Sequence, residues 1–202
     1  MIIGSDEWKK WRRDKVGASD VSAILGLSPW MTPYDLWEQK ILGKEIEMNS
    51  SMLRGQEREE EARKWVESKI GTILFPKVYE HKKCPFFTAT LDGIDEDEEN
   101  AVEIKWPNKK VMKMAEAGEV IDYYYCQIQY QMEVVGLEDI YFCCCNDKEK
   151  ILINKKRDQP YIDAMMKKVI EFFDECILLM QPPDLREKDK EKLKDKSFWN
   201  IC

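Results

Sequence analysis

Asp92, Glu103 and Lys105 are the side chains whose types and spacing could most readily do chemistry. Thr88-Ala89-Thr90-Leu91 and Ala101-Val102-Glu103-Ile104 carry the β-branched and apolar residues that suit short strands. The acidic run 95–100 between them reads as a solvated turn, so the two strands form a hairpin. Alternation in the second strand sends Glu103 and Lys105 to one face and Ile104 to the other. With Asp92 at the end of the first strand, two carboxylates and an ammonium converge on one volume. Like charges that close need a cation between them. Hard oxygen ligands suit magnesium or manganese. A surface hairpin whose Glu and Lys balance each other is the plainer alternative.

Helical periodicity aims two more polar groups inward. In a helix over 51–70, Ala62, Trp65, Val66 and Ile70 form the apolar face. Glu59 lies roughly 45° from the centre of that face, whereas Glu57, Glu60 and Glu61 point more than about 110° away. An inward carboxylate needs a partner, because burying it unpaired is costly; otherwise it is a rim residue reaching out to water. In a helix over 121–135, closed by Gly136, Tyr124, Gln127, Gln131 and Val134 share one face. Gln127 therefore points to the interior, either toward the site or as a satisfied core glutamine.

The first 50 residues read as helical. A helix over 6–13 places Trp8 and Trp11 on one face, and the chain then turns at Val16-Gly17-Ala18. Ser19 and Asp20 both suit an N-cap, opening a short helix that Gly26 and Ser28-Pro29 end. Thr32 and Pro33 start another, which stops at Gly43. A serine hydroxyl at a helix start, with free N–H groups and an arginine nearby, makes a phosphate site. Plain capping is its other role. Later in the chain, 72–79 reads as a strand that Pro76 confines to an edge. A polar basic connector runs from Pro107 to about Gly118, and a buried strand over 140–145 pairs with 151–153. An amphipathic helix over 161–180 stops at Pro182-Pro183, and the charged run 185–196 reads as an exposed helix.

With 202 residues the chain should form one good core and a single domain. Its net charge of −7 argues against coating nucleic acid by charge alone. Local basic patches exist nonetheless, at 8–15 and at Lys105, Lys109, Lys110 and Lys113. Seven cysteines without a C-x-x-C pair exclude the usual zinc and iron–sulfur spacings and suit reduced thiols in a cytosolic compartment. One histidine rules out multi-histidine sites. No signal-peptide pattern, membrane-length apolar run or P-loop is read.

The order of helix (Glu59), strand, strand (Asp92), strand (Glu103, Lys105), helix (Gln127), strand resembles the restriction-endonuclease-like core. That is an α/β fold in α-β-β-β-α-β order, with a mixed central β-sheet flanked by α-helices. Within it, the motifs are similar to those of the lambda exonuclease and YqaJ-like phage recombination exonucleases. The matching pieces are Arg12 with Gly17-Ala18-Ser19-Asp20; Gly55 with Glu59; Leu91-Asp92-Gly93; Glu103-Ile104-Lys105 with Pro107; and Gln127-Ile128-Gln129-Tyr130. Trp106 departs from the pattern where a small residue is frequent, and Glu60 where a proline is.

This resemblance implies a Mg²⁺- or Mn²⁺-dependent deoxyribonuclease with two ions. It would be a 5′–3′ exonuclease that degrades one strand of linear double-stranded DNA from a 5′-phosphorylated end, for recombination by single-strand annealing. Asp92, Glu103 and the Ile104 carbonyl would hold one ion, and Glu59 would place a second ion or its waters. Lys105 would orient the attacking water, lower its pKa or stabilise the transition state, with Gln127 positioning Lys105 or the scissile phosphate. Arg12 and Ser19 would grip the 5′-phosphate, Arg13 being the alternative to Arg12. Lys109, Lys110 and Arg13 would contact DNA.

The resemblance further implies one nuclease domain over 1–202, with a DNA-binding part over 1–50, a core over 51–155 and C-terminal helices and tail over 156–202. A homotrimeric ring around the duplex, an annealing protein as partner, no membrane and a cytoplasmic setting for a phage or prophage product complete the expectation. A restriction-type or structure-specific endonuclease could share the metal site and lack the phosphate pocket. A cluster-bearing nuclease is disfavoured by the cysteine spacing, and a non-catalytic DNA-binding module by the presence of Asp92, Glu103 and Lys105 together.

Overall fold

The computed structural model describes residues 5–44 and 50–184. The charged run 185–196, expected to be helical, lies outside the described residues. Helices α1 (Asp6–Trp11), α2 (Val21–Ile24) and α3 (Pro33–Ile41) surround a two-residue strand, β1 (Val16–Gly17). Helix α4 (Ser50–Ile70) leads into β2 (Phe75–His81), β3 (Cys84–Ile94) and β4 (Ala101–Lys105). Then follow α5 (Lys109–Glu116), α6 (Asp122–Val135), β5 (Asp139–Cys145), β6 (Lys150–Lys156) and α7 (Gln159–Phe172).

The six strands form one mixed sheet in the order β1-β3-β4-β5-β6, with β2 paired to β3 alone. β4 runs antiparallel to β3 and parallel to β5, as a helical crossover through α5 and α6 allows. β2 follows β3 along most of its length, so β1 and β4 must share the other edge of β3 end to end. The β3 residues between those two contacts have no strand beside them on that edge. Side chains from α4 and α6 fill the gap.

Alternation along β4 and β5 divides the core between the two faces. Val102, Ile104, Cys143 and Cys145 pack with Ala62 and Val66 of α4. Ala101, Phe142 and Cys144 pack with Ile128 and Met132 of α6 and with Val111, Met112 and Ala115 of α5. Glu103 therefore faces α6. Val16, Val21, Leu36 and Tyr130 join α7 residues in a further cluster that fastens the N-terminal helices to the sheet.

Two elements differ from the sequence reading. The expected turn at Val16-Gly17-Ala18 begins as β1, parallel to β3 at Phe87 and Thr88; two residues are too few to show a period. The expected connector after Pro107 contains α5. Asn108 caps it, accepting from the N–H groups of Lys110 (3.0 Å) and Val111 (3.2 Å). Its lysines masked a narrow apolar stripe of Val111, Met112 and Ala115, all buried. The helix expected over 161–180 is α7 with a terminal π-helical turn, Phe173–Leu178.

Candidate active site

β3 and β4 pair at Gly93↔Val102 and Ile94↔Ala101 and then part. Beyond that point Asp92 Oδ2 accepts the Ile104 N–H at 2.7 Å. The Asp92 carbonyl accepts from Arg63 Nη1 of α4 at 2.5 Å, and the Thr90 carbonyl from Gln131 Nε2 of α6 at 3.1 Å. Side chains thus take over the ladder's hydrogen bonds where the strands splay, and no backbone group need be left unpaired there. Gly93 makes the approach of α4 feasible: a Cβ there would stand 2.9 Å from Leu74 Cβ and 3.2 Å from Arg63 Cδ.

Glu103 is 1% exposed. Gln127 Nε2 donates to its Oε1 and Gln131 Nε2 to its Oε2, each at 2.5 Å. The Lys105 ammonium forms an ion pair with Oε1 and lies 5.5 Å from the centre of the Tyr124 ring. Burial, reinforced by the Glu103 charge, raises the Asp92 carboxyl well above its ordinary pKa. Burial works against the Lys105 charge, yet Glu103 and Asp92 outweigh it and hold the ammonium above its ordinary pKa. A buried and a half-buried carboxylate thus face one ammonium among the described residues.

Glu59 points toward the site as its helical angle predicts. Arg63 joins it to the hairpin, pairing with Glu59 Oε1 at 3.1 Å while holding the Asp92 carbonyl. The Glu59 charge also contributes to the rise of the Asp92 pKa. Among the described residues, no three histidine, cysteine, aspartate or glutamate side chains are gathered as a ready metal cage. The donor chemistry nonetheless fits a hard divalent cation, because Asp92 and Glu103 are oxygen donors whose mutual repulsion such an ion would relieve. Ile104 contributes its N–H, and its side chain is buried on the α4 side.

Arg12 and Ser19 meet, with Arg12 Nη2 donating to Ser19 Oγ at 3.1 Å. Arg13 turns elsewhere, its guanidinium lying within 3.3 Å of where a Cβ on Gly43 would stand. A Cβ on Gly17 would stand 2.8 Å from Arg12 Nη2, so the bare glycine makes room for the guanidinium. Asp20 occupies the expected N-cap position of α2, but neither its side chain nor that of Ser19 caps the helix. Ser19 sits inside a 3₁₀ turn, Ala18–Asp20, and Asp20 makes no side-chain capping bond. The Asp20 carboxylate is engaged instead by Arg12 Nη2 (3.1 Å), Lys40 Nζ (2.7 Å) and the Gly17 N–H (2.8 Å). Burial would raise its pKa, but the charges of Lys40 and Arg12 prevail and hold it below the ordinary value. Lys40 also donates to the carbonyls of Arg12 (3.1 Å) and Lys15 (2.7 Å), locking the turn that carries Arg12.

The pairing of Gly17 with Thr88 places this cluster four residues up β3 from Asp92, or roughly 13 Å along the strand. Lys109 and Lys110 are exposed at the start of α5, just beyond Lys105. Sequence reasoning singled out neither Arg63, Gln131, Asp20 nor Lys40 for a site. Gln131 carried a signal, since it lies one turn from Gln127 on the same face. Lys40 carried none, because its partners are 20 or more residues away.

A family model described as the YqaJ-like viral recombinase domain matches residues 7–138. The uncharacterized protein YqaJ of Bacillus subtilis (strain 168) is 30% identical over 190 residues, which is 91% of this chain and 60% of that protein. The chain thus spans about three fifths of that relative's length. An alkaline exonuclease from Laribacter hongkongensis has a similar structure, with a TM-score of 0.73 and 27% identity over 96% of this chain and 98% of that one. The same enzyme in complex with dAMP gives a TM-score of 0.74 at 26% identity, with the same coverage of both chains. A phage-related exonuclease from Haemophilus somnus 129PT, 16% identical with a TM-score of 0.61 over 83% of this chain and 96% of that one, shares the fold.

Proposed function

The chain belongs to the YqaJ-like viral recombinase family, and from that premise we propose that it is a metal-dependent 5′–3′ exonuclease acting on linear double-stranded DNA. The observation that carries this reading is the convergence of the half-buried Asp92 and the buried Glu103 beside the Lys105 ammonium at a splayed strand end. The full-length structural likeness to an alkaline exonuclease supports the same reaction class.

Asp92 and Glu103 would hold Mg²⁺ or Mn²⁺, with Glu59 serving a second ion. The bound ions would supply charge stabilisation at the phosphoryl oxygens and an acidified water. Lys105, kept protonated by its carboxylate neighbours, serves as a cationic donor to charge developing on the phosphoryl group rather than as a base. Gln127 and Gln131 fix the orientation of the Glu103 carboxylate. Arg63 ties Glu59 to the Asp92 backbone, so α4 and the hairpin move as one piece.

Arg12 and Ser19 take the 5′-terminal phosphate. Asp20 and Ser19 engage Arg12 through Nη2 alone, which leaves its Nη1 and Nε N–H groups free to donate charge-assisted hydrogen bonds to phosphate oxygens. Lys109 and Lys110 add backbone contacts that carry no sequence preference. A ring of three copies around the duplex, an annealing protein as partner and a cytoplasmic setting in a bacterial host belong to the same proposal. No helix among the described residues is long and apolar enough to cross a membrane.

The test is incubation with Mg²⁺ of linear, nicked circular and covalently closed DNA, with chelator controls. Linear DNA should yield mononucleotides and a residual single strand, while both circular forms persist. Loss of closed circles would replace the exonuclease reading with an endonuclease of the same fold.

A further inference from the structure

Trp30 is 65% exposed, on the loop between α2 and α3. The loop is pinned, since Ser28 Oγ accepts the N–H groups of Trp30 (3.2 Å) and Met31 (3.1 Å). The Trp30 ring meets Tyr123 in a T-shaped contact, with centroids 5.0 Å apart. Tyr123 meets Tyr124 in the same manner at 4.6 Å, and the Lys105 ammonium lies 5.5 Å from the Tyr124 ring. A continuous file of three rings therefore leads from open solvent to the lysine of the candidate site.

We propose that Trp30, braced by Tyr123, is a stacking platform for a nucleobase of the DNA strand engaged at the site. The inference rests on the nuclease reading and adds a group that touches the base rather than the phosphate. Packing accounts for Tyr124, which is half-buried against Phe142, but not for a tryptophan left mostly in water on a fixed loop. Every base has a π-face, so stacking grips each nucleotide in turn without regard to sequence. That suits an enzyme that must accept all four. Only the short helix α2 separates the α2–α3 loop from the turn bearing Ser19, so one N-terminal segment would hold both the terminal phosphate and a base.

The test uses 5′-phosphorylated single strands carrying 2-aminopurine or an abasic residue at the first or second nucleotide. Binding is read in chelator by anisotropy and by 2-aminopurine fluorescence, and hydrolysis is followed separately with Mg²⁺. The wild type should quench 2-aminopurine and bind the base-bearing strand roughly ten- to a hundredfold tighter than the abasic one. Trp30→Ala should lose both effects and Trp30→Phe should keep them; the exposure of Trp30 makes either change compatible with the fold. Unaltered quenching and discrimination in Trp30→Ala would overturn the proposal, as would a change in sedimenting mass without a change in quenching. If no variant hydrolyses DNA yet quenching still depends on Trp30, the nuclease reading fails and the stacking platform stands.

Discussion

Gln131 Nε2 reaches both strands of the central hairpin, donating to Glu103 Oε2 at 2.5 Å and to the Thr90 carbonyl at 3.1 Å. It bridges β3 and β4 where their own ladder has ended. Gln131→Leu should therefore leave one buried and one half-buried acceptor short of a donor and cost about 1–3 kcal/mol in urea unfolding. Hydrolysis should fall as well, because the Glu103 carboxylate would lose one of its two amide anchors. A variant as stable and as active as the wild type would show the clamp to be dispensable.

The raised pKa of Asp92 has a consequence for metal-free protein. An acid that holds its proton more tightly when folded makes stability fall as pH rises from about 4 through the raised native value. Asp92→Asn keeps an acceptor for the Ile104 N–H and removes the charge. In chelator at pH 8 it should melt roughly 2–6 °C above the wild type, with the gap closing toward pH 5. Mg²⁺ should raise the Tm of the wild type and leave that of the variant unchanged. A lower Tm for Asp92→Asn at pH 8 would contradict the reading of Asp92 as an uncompensated charge.

Asp20 behaves in the opposite sense. Its lowered pKa means that its contribution is present above the ordinary carboxylate value and lost as pH falls through the native one. The stability difference between the wild type and Asp20→Asn should therefore shrink between about pH 5 and pH 3. Lys40→Met should leave the buried carboxylate with Arg12 and the Gly17 N–H as its partners, and cost about 1–3 kcal/mol at neutral pH. Equal stabilities in chemical denaturation would mean that the pair does not hold the Arg12 turn.

The hairpin, the inward side of α4 and the glutamine face of α6 were legible because each rests on a local period that one strand or helix displays unaided. The acids of α4 illustrate this: Glu59 is turned toward Arg63 and the hairpin, while Glu60 and Glu61 pair with surface lysines. What stayed hidden depends on partners far apart in sequence. Lys40 is buried because Asp20 and two carbonyls of the preceding segment converge on it. Nothing within α3 signals that. Ser19 reads as a helix cap because the sequence does not reveal a 3₁₀ turn, and its pairing with Arg12 is expected from the family resemblance rather than from any local period.

Lys105 tests the chemistry more directly. Lys105→Met removes the ammonium paired with Glu103 beside Asp92, so metal-free protein should lose stability and recover it with Mg²⁺. Hydrolysis should fall by at least a hundredfold, because a donor to the developing phosphoryl charge is gone. DNA binding in chelator should change little. Near-normal turnover at saturating Mg²⁺ would leave Lys105 as scaffold.

The central claim is that the enzyme starts at a 5′-phosphorylated end, and Arg12 is where that claim can be measured. A terminal monoester carries nearly one more negative charge than an internal diester, and a guanidinium answers it with charge-assisted hydrogen bonds. Losing such a contact should cost about 1.5–3 kcal/mol, or roughly ten- to a hundredfold in rate. Initial rates should be compared at fixed salt on one linear duplex bearing either a 5′-phosphate or a 5′-hydroxyl, for the wild type and for Arg12→Ala. The predicted result is faster degradation of the phosphorylated duplex by the wild type, with the preference erased in Arg12→Ala while slow Mg²⁺-dependent cleavage persists. Equal rates on the two ends in the wild type would contradict the account and leave Arg12, Ser19 and Asp20 as a structural cluster.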